Sequence, residues 1–209
     1  MNAAAAAGVG ELPAGSLSVW LGEIGRALAS GEASEVPCGT CTACCSAAQF
    51  VHVGPDEVEA RASIPDELLF PAPGLPDGHQ LLGYDEQGRC PLLGDAGCTI
   101  YPTRPRACRV YDCRVFAATG VLPDEPAKAP IAQRARSWRF AVNTPAEQAQ
   151  WEALHAAADF VSALPEAAAA GPTAQALAAL RVHGLFMGGE GPRVPDPAEV
   201  RAALADPGS

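Results

Sequence analysis

Apolar residues recur at helical spacing near the start of the chain. Leu17, Trp20, Leu21, Ile24 and Leu28 fall on one face of residues 16–30, because an α-helix completes a turn in 3.6 residues. The pattern therefore predicts an amphipathic helix whose apolar face must be buried against another element. The preceding residues 1–14 are rich in Ala and Gly and predict an irregular start.

A second group of helices is predicted towards the end of the chain. Residues 144–163 open with a threonine, a proline and a glutamate in the order of a capping box, which satisfies the free N–H groups at a helix start. Further helices are predicted over residues 173–182 and just after Asp196. The proline-rich residues 122–130 predict a linker before this helical part.

The middle of the chain predicts short strands and loops. Residues 49–53 suit a short strand, and residues 81–84 and 89–93 flank a turn and predict a hairpin. That hairpin would place Cys90 on a strand and Cys98 just beyond the following turn.

These patterns predict a mainly α fold with an irregular cysteine-rich metal-binding centre and a few short β-strands, α+β at most. Three segments are expected. Residues 1–37 are an N-terminal segment with the amphipathic helix, residues 38–116 a cysteine-cluster metal-binding domain, and residues 117–209 a helical C-terminal region packed on the same core.

Cysteine is the residue type that carries the candidate chemistry. Four cysteines stand within residues 38–45 in a C-x2-C-x2-C-C run, and four more follow before residue 114. The eight candidate metal ligands are Cys38, Cys41, Cys44, Cys45, Cys90, Cys98, Cys108 and Cys113. Thiolates are soft donors that suit zinc and iron–sulfur clusters, and the triple spacing resembles that of bacterial ferredoxins.

The adjacent pair Cys44-Cys45 leaves several arrangements open. Neighbouring side chains diverge in most backbone conformations, so the two sulfurs seldom bind one tetrahedral ion together. Three arrangements are compatible with this pair. The two sulfurs bind different metals, they bind different irons of one cluster, or one sulfur is buried and binds no metal. Of the four histidines in the chain, His52 alone is considered as a spare ligand.

Other interpretations of the cysteines compete with metal binding. Residues 1–10 lack the basic and apolar character of a secretory signal, so a cytoplasmic location is expected, where thiols stay reduced and disulfides are rare. A metal-free catalytic cysteine with His52 or His79 as base is a further alternative. The formal net charge of −10 argues against a nucleic-acid partner, and no apolar run predicts a membrane partner.

Arginines crowd around the last two cysteines. Arg104, Arg106 and Arg109 flank Cys108. A four-thiolate site with Zn²⁺ or a 4Fe–4S cluster carries negative charge, which these side chains are positioned to offset around the ligands. An ordinary solvated face is the alternative for them.

The complete cysteine pattern resembles a known family. The CxxCxxCC run, the C-P-L-L at residues 90–93, the C-x-I-Y at residues 98–101 and the R-P-x-x-C-R at residues 104–109 are similar to the YkgJ family. That group is described as a zinc- or iron-chelating domain. The resemblance implies a chelating centre, and implies no particular reaction.

Three functions remain open at this point. The first is an iron–sulfur protein, with a 4Fe–4S cluster favoured, that serves electron transfer or redox sensing with a redox or protein partner. The second is a zinc- or iron-chelating module with a structural or metal-handling role. The third is a cluster-dependent enzyme that modifies a protein, since flagellin lysine methylases carry a similar cysteine cluster. No catalytic residue is assigned.

Overall fold

The computed structural model describes residues 10–30, 36, 38, 40–189 and 191–205. This part of the chain is mainly α-helical with a few short strands, which confirms the predicted fold class. The helices are α1 (Leu17–Ser30), α2 (Val58–Ser63), α3 (Arg106–Val110), α4 (Arg114–Thr119), α5 (Ala129–Ser137), α6 (Pro145–Ser162), α7 (Pro165–Ala170), α8 (Pro172–Val182) and α9 (Pro197–Ala205). The strands are β1 (Leu12–Ser16), β2 (Val51–Val53), β3 (Leu69–Pro71), β4 (Gln80–Leu82), β5 (Leu93–Gly94), β6 (Gly97–Cys98) and β7 (Trp138–Ala141). None of the described helices is long and apolar enough to cross a membrane.

The N-terminal helix follows its predicted pattern with one change. Leu17, Trp20 and Ile24 are buried, as expected for the inward face of α1. Leu28 is 45% exposed, and Ala27 is buried in its place. The inward stripe therefore continues from Ile24 by three residues instead of four, and both steps are compatible with helical spacing.

The chain folds as two compact units. The helical unit comprises the residues up to Ser18, Cys113–Pro123 and the residues from Ala132 onward. The cysteine unit comprises Val19–Asp112 and Asp124–Ile131. These two units are sets of residues with many contacts among themselves, and such sets need not fold independently. The predicted segments 1–37, 38–116 and 117–209, and their packing on one core, therefore stay predictions.

The helical unit is built on the packing of α6 against α8. Leu154 and Val161 of α6 and Ala179 of α8 have no exposed surface. At the start of α6, Thr144 Oγ1 accepts a hydrogen bond of 3.1 Å from the Glu147 N–H, so the predicted cap at Thr144 is confirmed. The Glu147 carboxylate accepts from the Asn143 N–H over 2.9 Å, one residue before the position that a capping box predicts. The helices predicted over residues 173–182 and after Asp196 are present as α8 and α9.

A short parallel sheet completes the helical unit. Strand β1 pairs with β7, with Leu12 opposite Trp138 and Ser16 opposite Ala141. The expectation of an irregular start is therefore wrong for residues 12–14, while residues 1–9 lie outside the described part of the chain. The strand forms because a distant segment supplies its backbone partners, and its own sequence carries no alternating pattern.

The cysteine unit contains a three-stranded antiparallel sheet in the order β2-β4-β3. One face of this sheet covers a small core, whose buried members are Val53, Ala60, Ile64, Leu82 and Leu92. The predicted strand at residues 49–53 is present as β2. The predicted hairpin is wrong, because β4 pairs with β2 and β3, whereas β5 pairs with β6. Consequently Cys90 lies outside any strand and Cys98 lies on β6.

Candidate metal centre

The cysteine unit holds most of the candidate ligands. Cys38, Cys41, Cys44, Cys45, Cys90, Cys98 and Cys108 belong to this unit, and Cys113 belongs to the helical unit. None of the eight forms a disulfide.

The first cysteine run is folded by local backbone hydrogen bonds. The N–H of Cys41 donates to the carbonyl of Cys38 over 3.0 Å, which closes the turn of the first C-x2-C segment. Residues Cys44–Ser46 form one turn of 3₁₀ helix. A 3₁₀ helix has three residues per turn, so the side chains of Cys44 and Cys45 leave the backbone in different directions.

A backbone hydrogen bond joins the first cysteine run to the second group. The N–H of Cys90 donates to the carbonyl of Cys45 over 2.7 Å. From Cys90 the chain turns, with the Leu93 N–H donating to the Cys90 carbonyl over 3.0 Å. Strand pairing then places Leu93 opposite Cys98. These contacts bring Cys45, Cys90 and Cys98 into one region of the cysteine unit.

The pKa of Cys45 shows that several sulfurs surround it. Burial is the largest cause that raises this pKa from 9.0 to about 11. The thiols of Cys90, Cys98, Cys41 and Cys38 contribute in the same direction, in that order. A second negative charge is disfavoured near the first, so these four sulfurs lie within electrostatic range of Cys45. Cys45 is thus electrostatically coupled to thiols of both cysteine groups.

Cys108 is coupled to the same group of sulfurs. Burial of its sulfur raises the pKa of Cys108 to about 12, with further contributions from Cys45, Cys90 and Cys98. Cys108 nevertheless retains exposed surface. The short helix α3 that carries Cys108 packs against β2. The sulfur of Cys108 therefore lies within electrostatic range of sulfurs from both cysteine groups, and their assembly into a single centre stays a prediction.

The cysteine thiols suit a soft metal, although the described side chains are not already arranged around a metal position. Among the described residues, no three Cys, His, Asp or Glu side chains are arranged to hold a metal ion. Burial raises the pKa of Cys45, Cys90 and Cys108, so these three thiols stay protonated near neutral pH. A metal cation reverses this preference, because a coordinated thiol is deprotonated outright. The chemistry of the residues therefore fits zinc or an iron–sulfur cluster, and their role as ligands stays a prediction.

Cys113 has a different environment from the other cysteines. It is 5% exposed and precedes α4 as its N-terminal cap residue. Its Sγ accepts a hydrogen bond of 3.3 Å from the indole Nε1 of Trp138, and the guanidinium of Arg134 lies 4.7 Å from the centre of that indole ring. These neighbours give Cys113 a defined structural role within the helical unit, and its predicted ligand role stays untested.

The three arginines make different contacts. The guanidinium of Arg104 lies 4.0 Å from the ring centre of Tyr101, and its charge lowers the pKa of Cys108. By contrast, Arg106 pairs with Asp56, and an Nη2 of Arg109 lies 3.9 Å from a carboxylate oxygen of Glu57. Arg104 is thus the arginine with a demonstrated effect on a thiol. The predicted support of the centre by Arg106 and Arg109 stays a prediction, because their described contacts are to carboxylates.

Two polar residues near the cysteines were not identified from the sequence. The side-chain amide of Gln49 donates to the carbonyl of Cys44 over 3.1 Å, and the carboxylate of Asp85 contributes to the raised pKa of Cys90. Gln49 lies four residues after Cys45 in the sequence, and this nearness could have indicated a contact with the cysteine run. Asp85 opens the turn predicted between residues 84 and 89, but the turn signal alone did not indicate that its carboxylate lies near Cys90.

Comparison with known proteins finds a family model that matches the cysteine segment. Residues 37–134 match the family model CxxCxxCC, whose description is "Putative zinc- or iron-chelating domain". The match ends at residue 134 and so includes Cys113–Pro123 of the helical unit. It supports a metal-binding module. The narrower name YkgJ stays a prediction. No curated protein and no solved structure matches the chain.

Proposed function

We propose that the CxxCxxCC domain of this protein holds an iron–sulfur cluster, preferably of the 4Fe–4S type, and that the protein transfers electrons or senses redox state. The observation that carries the proposal is the convergence of the two cysteine groups. The Cys90 N–H bonds to the Cys45 carbonyl, and the sulfurs of Cys45 and Cys108 are each coupled to Cys90 and Cys98.

The number and type of donors support a cluster over a single ion. A structural zinc ion uses four ligands, commonly supplied as two separate pairs. The triple C-x2-C-x2-C run instead has the spacing of bacterial cluster-binding segments. The ligands would come from the cysteines of the cysteine unit, which are Cys38, Cys41, Cys44, Cys45, Cys90, Cys98 and Cys108. A bound cluster supplies one-electron redox chemistry.

The surroundings of the sulfurs would tune such a centre. Burial around Cys45 limits water, and the positive charge of Arg104 acts on Cys108. Solvent exclusion and nearby positive charge are two of the factors that set the potential of a thiolate-held cluster.

Anaerobic purification followed by iron, zinc and acid-labile sulfide analysis tests the proposal. We expect a coloured protein with iron and sulfide in equal amounts and a reversible one-electron reduction. Cys90→Ser should lose most of the iron, whereas Cys113→Ser, whose sulfur bonds to Trp138, serves as the matched control and should retain it.

The same measurement decides between the cluster and the zinc-chelating alternative. A colourless protein with stoichiometric zinc and no labile sulfide would replace the redox role with a structural or metal-handling one. Retention of full metal in Cys90→Ser would contradict a centre formed by the two cysteine groups, whichever metal is bound.

A further inference from the structure

Two histidines meet on the sheet of the cysteine unit. His52 is the middle residue of β2, and its neighbours Val51 and Val53 face the core. Alternate residues of a strand point to opposite faces, so His52 points away from that core. His79 directly precedes β4, the strand that pairs with β2. Both imidazoles are half-buried.

The two imidazoles face each other through ring nitrogens. His52 Nε2 and His79 Nδ1 are 2.8 Å apart, while the ring centres are 5.1 Å apart and the ring planes differ by 25°. Because the ring centres are much further apart than the nitrogens, the rings meet edge to edge and not face to face. One nitrogen donates a proton and the other accepts it, so both donor atoms converge on one point.

We propose that His52 and His79 form a second metal site, separate from the cysteines, that binds a divalent late transition ion such as Zn²⁺ through His52 Nε2 and His79 Nδ1. This site goes beyond the proposed function and does not depend on it. Imidazole suits Zn²⁺, Ni²⁺ and Cu²⁺. Two nitrogens bound to one tetrahedral ion at about 2.0–2.1 Å would lie about 3.3 Å apart. The observed pair must therefore open by about 0.5 Å, and the rings must tilt until both nitrogens point at the ion.

Binding requires no net loss of a proton. In the neutral pair, the bridging proton belongs to one of the two rings. That proton transfers to the other nitrogen of the same ring, and both facing nitrogens then present lone pairs to the ion. Among the described residues, no third Cys, His, Asp or Glu completes a coordinating group with them. Water therefore fills the remaining positions.

The backbone around His79 is held in place by several contacts. The His79 N–H donates to the Pro76 carbonyl, and the His79 carbonyl accepts from the Ala72 N–H over 3.0 Å. An Nη1 of Arg61 donates to the Gly78 carbonyl over 3.2 Å. A site held by a strand and an anchored loop loses little conformational entropy when the ion binds.

The electrostatic surroundings favour a cation at this position. The carboxylate of Asp56 interacts electrostatically with His79 and is also paired with Arg106. The net charge of the protein is −10, which favours the approach of divalent cations in general.

Nuclear magnetic resonance of the histidine rings tests the site directly. The full-length ¹⁵N-labelled protein, with its cysteine centre loaded and loosely bound metal removed, is titrated with ZnCl₂. We expect the facing ring nitrogens of His52 and His79 to shift together and to saturate at one added equivalent. The ring signals of His155 and His183 should not move.

Variants separate zinc binding from the hydrogen bond alone. His52→Gln should abolish the response of His79 and weaken zinc affinity by about tenfold or more. The matched control His183→Gln, which removes a histidine of the helical unit, should leave both responses intact. Unchanged His52 and His79 signals in the wild-type protein would overturn the proposal even if a variant fails to fold. An unaltered His79 response in folded His52→Gln would overturn it as well.

Discussion

Replacing Trp20 by Phe tests how strongly α1 is attached to the end of the cysteine segment. Trp20 is 1% exposed, and its indole Nε1 donates to an Oδ2 of Asp112 over 2.9 Å. Asp112 is 5% exposed. The substitution keeps an aromatic ring but removes the donor and part of the buried volume.

Two losses add up in this variant. A hydrogen bond to a charged group contributes about 1.5–3 kcal/mol, and its loss leaves a buried carboxylate with one donor fewer. The removed ring atoms leave a cavity that costs about 1–2 kcal/mol, less than the loss of a whole aromatic side chain. We therefore expect Trp20→Phe to lower the free energy of unfolding by about 3–4 kcal/mol.

A second buried tryptophan provides the matched comparison. Trp138 is 3% exposed, and its Nε1 donates to the Cys113 sulfur, which is a weaker acceptor than a carboxylate. Trp138→Phe removes the same atoms, so its cavity cost should be similar and its total loss only about 2 kcal/mol. Asp112→Asn retains an acceptor oxygen for Trp20 and should cost less than Trp20→Phe.

Urea unfolding followed by far-ultraviolet circular dichroism measures these differences, with identical metal content in every variant. We expect Trp20→Phe to lose more unfolding free energy than Trp138→Phe. If Trp138→Phe is destabilised as much as Trp20→Phe, the carboxylate contact of Trp20 adds nothing beyond burial, and the argument from charge is refuted.

Three further predictions follow from the same geometry. Cys45→Ser should lose bound metal, because the sulfur of Cys45 is coupled to thiols of both cysteine groups; full metal retention in this variant would contradict that role. Burial lowers the pKa of His155 below 6.5, against a smaller raising effect of Asp159. As the pH falls, the unfolded chain therefore binds a proton at this histidine before the folded protein does, so the free energy of unfolding should decrease below about pH 6.5. His155→Gln should reduce this pH dependence, and an unchanged dependence would contradict the prediction. Hydrogen bonds, with that from the Ser16 hydroxyl the strongest, lower the pKa of Glu147 from 4.5 to about 2. Ionised Glu147 should therefore stabilise the folded protein above pH 4.5, and this contribution should be lost as the pH falls towards 2. Glu147→Gln should not show this loss of stability between pH 4.5 and pH 2.

The helices were predictable because local sequence specifies them. Helix α6 has a capping threonine, a proline at its first position and apolar residues at helical spacing, and its observed bounds Pro145–Ser162 follow those signals closely. Helices α1 and α8 carry similar periodic patterns. Capping and periodicity are properties of neighbouring residues, so a single sequence is sufficient to detect them.

The strand pairings were not predictable in the same way. Strand β1 contains a proline and a glycine in five residues and becomes a strand only through its pairing with β7. Strand β4 has partners on both sides, and neither is its neighbour across a tight turn. The sequence suggested a hairpin after β4 because a turn follows it, but local turn signals do not reveal which distant strand supplies the hydrogen bonds.

The convergence of the cysteines follows from the register of that same sheet. Val51 of β2 lies opposite Leu82 of β4 in an antiparallel pair, so each step back from Val51 is matched by a step forward from Leu82. Beyond the strands the two segments stay close but leave this register, because the turn at residues 85–88 adds residues to one side. A Cβ added to Gly88 would lie 3.3 Å from the Cβ of Ala48, and the hydrogen bond between Cys45 and Cys90 follows next. A slip by one residue would turn the core-facing side chains outward and shift the segments that carry these cysteines. The apolar core under the sheet therefore determines which cysteine segments meet, and a bound metal would determine which of their sulfurs lose a proton.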